Sequence, residues 1–112
     1  MEIATRRVYD MLVVDMGGRL DSHSSGDAGD RFVAIVQGDD KRIVLNLAKL
    51  DYVTSAGLRV ILRGAKLLQE RLGELKICGA NQAVGNVLVT AGFDSLIKLY
   101  ATEREALAAF RA

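Results

Sequence analysis

Three features of the sequence predict an α/β fold with a mixed β-sheet, an antiparallel opening hairpin and about four α-helices packed against it. Apolar segments with strand character alternate with segments whose apolar residues recur at helical spacing. The first two apolar segments are separated only by Tyr9-Asp10, close enough for a hairpin. Each later strand-like segment follows one long enough to be a crossover helix, which implies parallel pairing through right-handed connections.

The elements follow in chain order. Ile3 to Val8 alternates weakly, and Met11-Leu12-Val13-Val14 is a short apolar run, so the pair reads as the hairpin, ended by Gly17-Gly18. Asp21 to Ser25 offers several N-cap residues. Ala28, Phe32, Ile35 and Val36 then follow at helical spacing, with Gly38 as the stop. Arg42 to Leu47 is aliphatic enough to be a strand buried on both faces. Ala56 to Leu72 is the longest helix, with Leu58, Ile61, Leu62, Ala65, Leu68 and Leu72 as its apolar stripe and Gly73 as its stop. Leu75 to Cys78 reads as a strand, Gln82 to Ala91 as a helix ending at Gly92, and Leu96 to Leu99 as the last strand. Thr102 followed by Glu105 forms a capping-box pattern before a final helix.

Composition bounds what such a domain can do. With 112 residues, 50% of them hydrophobic, and no proline, the chain suits one domain over 1–112 rather than a disordered segment. Its six aromatics and lack of tryptophan demand an aliphatic core. No apolar run reaches the roughly 18 residues of a membrane span, and no signal-peptide core opens the chain, so a cytoplasmic protein without membrane insertion is expected. Cys78 is the only cysteine and His23 the only histidine. A disulfide framework, a zinc site and most histidine-based catalysis are therefore not expected. Neither a phosphate-binding glycine loop nor a nucleophile elbow is present. No catalytic residue, metal or cofactor is assigned.

The net charge of +1 is uneven: residues 1–40 hold four cations and eight anions, residues 41–80 eight and three. Two opposed faces of a near-neutral domain account for this, and no clustered basic run points to nucleic acid.

The segment Leu50-Asp51-Tyr52-Val53-Thr54-Ser55-Ala56-Gly57-Leu58-Arg59 holds the most information about function. Thr54 and Ser55 stand directly before the longest helix, and either suits an N-cap. A phosphate on such a hydroxyl would face the positive end of the helix dipole, changing the surface while sparing the fold. Arg59, Arg63 and Lys66 lie along the polar side of the same helix, as a solvated face or as a docking stripe. Asp21 suits a turn or cap.

Leu45-Asn46-Leu47, the segment from Leu50 to Leu62, and Gly18-Arg19-Leu20-Asp21 together resemble the signature of STAS domains of the anti-sigma factor antagonist family. The element order agrees over nearly the whole chain. The resemblance implies a non-enzymatic protein that binds an anti-sigma factor of the serine kinase type. That kinase would phosphorylate Ser55, and a serine phosphatase of the metal-dependent type would reverse it. It also implies a partner-binding surface around Asp21, Thr54, Ser55, Ala56, Gly57, Arg59 and Arg63. Against the commonest motif, Asp-Ser-Ser/Thr-Gly-Leu, Thr54 replaces the aspartate and Ala56 the second hydroxyl residue, leaving Ser55 as acceptor and Thr54 as its rival. A constitutive, unphosphorylated STAS scaffold or sensor module is the alternative. A small α/β enzyme or ligand carrier is the remaining alternative, disfavoured for want of a catalytic constellation. A monomer or weak dimer fits either regulatory role.

Overall fold

Strands β1 (Glu2–Val8) and β2 (Met11–Leu20) pair antiparallel, from Glu2 opposite Gly17 to Val8 opposite Met11, in a computed structural model that describes residues 1–111. The hairpin pairing ends at Gly17, as expected, but β2 itself runs on through both glycines to Leu20. The strand survives because its pairing with the next strand slips between Asp15 and Gly17 and again between Gly18 and Arg19. Gly18 occupies the left-handed region there, at φ +92°, which a glycine enters without the Cβ penalty.

Strand β3 (Arg42–Val53) pairs parallel with β2 on one side and with β4 (Glu74–Cys78) on the other, and β5 (Lys98–Tyr100) extends the sheet in the order β1-β2-β3-β4-β5. The sequence expectation stopped β3 at Leu47. Beyond it the two-residue alternation fails: Leu47, Leu50 and Val53 are buried at three-residue spacing while Lys49, Asp51 and Tyr52 are exposed. Slipped pairing with β2 sustains the strand where simple periodicity predicts a loop. The last strand is also displaced from the expected Leu96–Leu99. A 3₁₀ turn, Phe93–Ser95, precedes it, and Leu96 is exposed.

Helices α1 (Ser25–Val36), α2 (Ser55–Glu70) and α3 (Gln82–Thr90) connect successive parallel strands. Three crossovers of one hand, all stepping the same way along the sheet, carry their helices to one face. The larger core lies there, with Met16, Leu20, Phe32, Ile43, Leu45, Leu47, Ile61, Leu68 and Leu88 fully buried. Helix α4 (Glu103–Arg111) covers the opposite face, where Ala106 and Phe110 pack on Met11, Val13, Val44 and Cys78. As expected, β3 from Ile43 to Leu45 is buried on both sides.

The apolar stripe of α2 is narrower than its leucines suggested. Ile61, Ala65 and Leu68 are buried, Leu58 and Leu62 only half-buried, and Leu72 lies beyond the helix with 93% of its surface exposed. Gly57 and Gly64 are buried instead, with the Phe32 ring of α1 directly over Gly64. A helix wedged between a sheet and a neighbouring helix needs small residues on its inner edge, and hydropathy alone does not mark them. The capping box holds in part: the Glu105 N–H donates to Thr102 Oγ1 at 3.2 Å, while the Glu105 carboxylate meets that same hydroxyl. No helix among the described residues is long and apolar enough to cross a membrane.

Candidate functional site

Parallel pairing of β2 and β3 sets Leu20 beside Val53, and the Thr54 N–H donates to the Leu20 carbonyl at 3.0 Å. The end of β2, with the Asp21 turn that follows it, thereby lies against the start of α2. Two segments about 35 residues apart in sequence form one surface.

Thr54 occupies the N-cap position in extended geometry, but its hydroxyl makes no cap hydrogen bond. Its Oγ1 is buried and has no hydrogen-bond partner among the described residues. Thus the expected side-chain cap is absent: the hydroxyl turns inward, away from the first N–H groups of α2. Ser55 is the first helical residue and is exposed. The two rival hydroxyls differ in accessibility, which adjacency in sequence concealed.

Asp21 is largely committed to its own turn. Its Oδ1 accepts from the backbone N–H of Ser24 at 3.1 Å and of His23 at 3.0 Å, and its own N–H donates to Ser24 Oγ at 3.0 Å. Ser24 Oγ in turn donates to the Arg19 carbonyl at 2.7 Å. The Ser24 N–H, with smaller help from that of His23, holds the Asp21 carboxyl below its ordinary pKa. Arg19 lies 3.6 Å from Asp21 and stacks over the Tyr52 ring at 4.7 Å, a pair that sequence reasoning did not single out.

Of the remaining candidate residues, Ala56 is half-buried, Gly57 is buried, and Arg59 and Arg63 are exposed on the outer side of α2. Ser55 and Leu58 form one wall of an open groove of about 350 Å³ whose other wall is α3, through Asn86, Val87, Thr90 and Ala91. Asn81 fixes that wall: it caps α3 by accepting from the Val84 N–H at 2.8 Å, and its amide donates to the Leu50 carbonyl at 3.2 Å. Asparagine directly before an apolar helical pattern was the readable signal for this cap.

The other reactive groups lie elsewhere. Burial pushes the Cys78 thiol up to about 12, so it stays protonated within the smaller core. His23 is exposed, and no group of three His, Cys, Asp or Glu residues among the described residues could hold a metal ion.

The start of α2 thus presents an exposed serine without a side-chain cap beside a shallow open groove, on an α/β domain with a mixed sheet. The chain belongs to the STAS domain family, whose model matches residues 2–106. It is 33% identical over 111 residues to BtrV of Bordetella bronchiseptica, a candidate anti-sigma factor antagonist, covering 99% of this chain and 96% of that one. With the anti-sigma F factor antagonist of Paenibacillus polymyxa it shares 34% identity over 98 residues, 87% of this chain and 84% of that protein. The fold matches the anti-sigma factor antagonist SpoIIAA in its unphosphorylated form with a TM-score of 0.81 at 22% identity, over 98% of this chain and 96% of SpoIIAA. Against Bacillus SpoIIAA in the phosphorylated form the TM-score is 0.73 at 21% identity, over 97% and 99%.

Proposed function

We propose that this protein is an anti-sigma factor antagonist: a cytoplasmic binding protein, not an enzyme, that captures an anti-sigma factor of the serine kinase type and is switched by phosphorylation of Ser55. The names of its relatives support the antagonist role. The observation that carries the switch is the contrast at the start of α2, where Ser55 is exposed on the groove and the Thr54 hydroxyl is buried. A kinase needs its acceptor hydroxyl in solvent, and Ser55 meets that requirement.

The chemistry of release follows from charge. Phosphate adds about −1.5 to −2 at pH 7, and burying it in a close interface carries a large desolvation cost. The helix dipole tolerates the same charge locally, so binding changes and the fold does not. ATP belongs to the kinase; a metal-dependent serine phosphatase restores the hydroxyl. Asp21 shapes the neighbouring loop, while Arg59 and Arg63 supply the charged border of the contact.

The test is incubation with the anti-sigma kinases encoded in the same genome and ATP, followed by mass spectrometry of residues 50–59. Phosphate on Ser55, with loss of kinase capture and an unphosphorylatable but binding-competent Ser55→Ala, is the expected result. Phosphate on Thr54, or on neither residue, gives the constitutive scaffold reading instead.

A further inference from the structure

Residues 77–93 carry no charge, in a chain of which 26% is charged. The stretch is not buried throughout: Gln82, Ala83, Asn86, Val89, Thr90 and Ala91 are exposed, Val89 to 53%. A helix face in permanent contact with water ordinarily carries charge, whereas the centre of a protein interface is depleted of it. Across the groove, α2 presents the opposite character. Ser55, Arg59, Arg63 and Lys66 are exposed on its outer side, at spacings of three to four residues that form one strip. None of the three cations enters an ion pair among the described residues. Asp30 of α1 lines a shallow depression with Arg59 and Arg63 and still forms no pair with them.

The neutral groove lies on the α3 side of α2, and the depression that Arg59 and Arg63 share with α1 lies on the other. The unpaired cations occupy the outer face between them, an arrangement that complements one kind of surface. We propose that the α2–α3 groove receives an acidic segment of the protein partner, anchored by an apolar side chain between Leu58 and Val87, with its carboxylates against Arg59, Arg63 and Lys66. This deepens, and rests on, the reading of Ser55 as the regulated residue. Ser55 lies on the rim shared by the groove and the strip. A phosphate there offsets about two of the three cations and repels the carboxylates they attract. The switch then acts on the sign of the field as well as on space.

The experiment titrates the isotopically labelled protein with two synthetic helical peptides that share one apolar face and differ only in flanking Glu or Lys. The Glu peptide should shift the amide signals of Leu58, Arg59, Asn86, Val87 and Thr90, and the Lys peptide should not. Its binding should weaken several-fold as salt shortens the screening length below about 10 Å. Arg59→Glu with Arg63→Glu, or Asn86→Glu at an exposed position of the groove, should each weaken it by about tenfold, and Ser55→Asp by a smaller factor. Equal binding of both peptides, no shift at millimolar peptide, or shifts at Tyr9 and Leu72 overturn the proposal. So does tighter binding of poly(U) RNA or phosphatidylglycerol vesicles, which assigns the cations to a polyanion. Because no kinase is used, groove binding without phosphorylation of Ser55 by any of the kinases defeats the proposed switch alone, and Ser55 phosphorylation without groove binding defeats this inference alone.

Discussion

Gly57 packs beneath the carbonyl oxygen of Leu20 with no space for a side chain: a Cβ there would lie 2.6 Å from that oxygen and 2.7 Å from the Leu20 Cγ. The contact holds the first turn of α2 against the end of β2, so the Ser55 surface depends on it. Gly57→Ala is expected to destabilise the protein by roughly 1–3 kcal/mol, since a backbone oxygen cannot yield as a side chain can. It should also shift the amide signals of Ser55 and Asp21. An unchanged melting curve with unchanged signals would show that the two elements separate freely.

The half-burial of Leu62 revises the core of α2. Ile61→Ala removes a fully buried side chain and should cost about 2–5 kcal/mol in urea unfolding, a transfer contribution plus a cavity. Leu62→Ala, at a position that retains solvent contact, should cost about 1 kcal/mol or less. Equal losses would mean that the inward face of the helix is rotated towards Leu62.

Leu72 occupies the left-handed region at φ +66° and is 93% exposed. It stands just past α2, where the Gly73 N–H bonds the Leu68 carbonyl and the Leu72 N–H bonds that of Gln69, the paired pattern of a Schellman terminus. Leu72→Gly is expected to stabilise the protein by about 0.5–1 kcal/mol, since it relieves the Cβ penalty and forfeits almost no burial. Gly73→Ala should do the reverse, because its Cβ would meet Leu68 Cδ1 at 2.6 Å and the Lys41 carbonyl oxygen at 2.8 Å. A loss of stability in Leu72→Gly would reveal packing of Leu72 in solution.

Acid should weaken the fold through two carboxylates. Arg6 donates to both Glu103 and Asp15, joining β1, β2 and the start of α4, and the Asn46 amide donates to Glu103 at 2.9 Å. The Arg6 hydrogen bonds, and secondarily that of Asn46, hold the Glu103 carboxyl below its ordinary 4.5, as the Ser24 and His23 N–H groups hold Asp21 below 3.8. A pKa lowered in the folded state contributes stability that is present above the unfolded value and lost as pH falls through the folded one. Melting temperature should therefore fall as pH drops below about 4.5, and the slope should flatten in Glu103→Gln and Asp21→Asn. Equal acid sensitivity in both variants and the wild type would place the responsible carboxylates elsewhere.

The order of elements, the doubly buried β3, α2 as the longest helix and the hydroxyl pair at its start are all legible in the sequence, because each rests on local periodicity and on cap and stop residues. Tertiary contact decided the rest. Strands β2 and β3 run past their expected ends because slipped pairing between them supplies backbone partners where alternation has already failed. Thr54 and Ser55 are equivalent as adjacent hydroxyls; packing of the β2 end against α2 turns one inward and leaves the other exposed. The α3 wall of the groove carries no reactive residue type, so no motif could announce it. Periodicity records which side chains of one element leave water, whereas a site is made by which elements become neighbours, and that is decided by pairing and close packing across the whole chain.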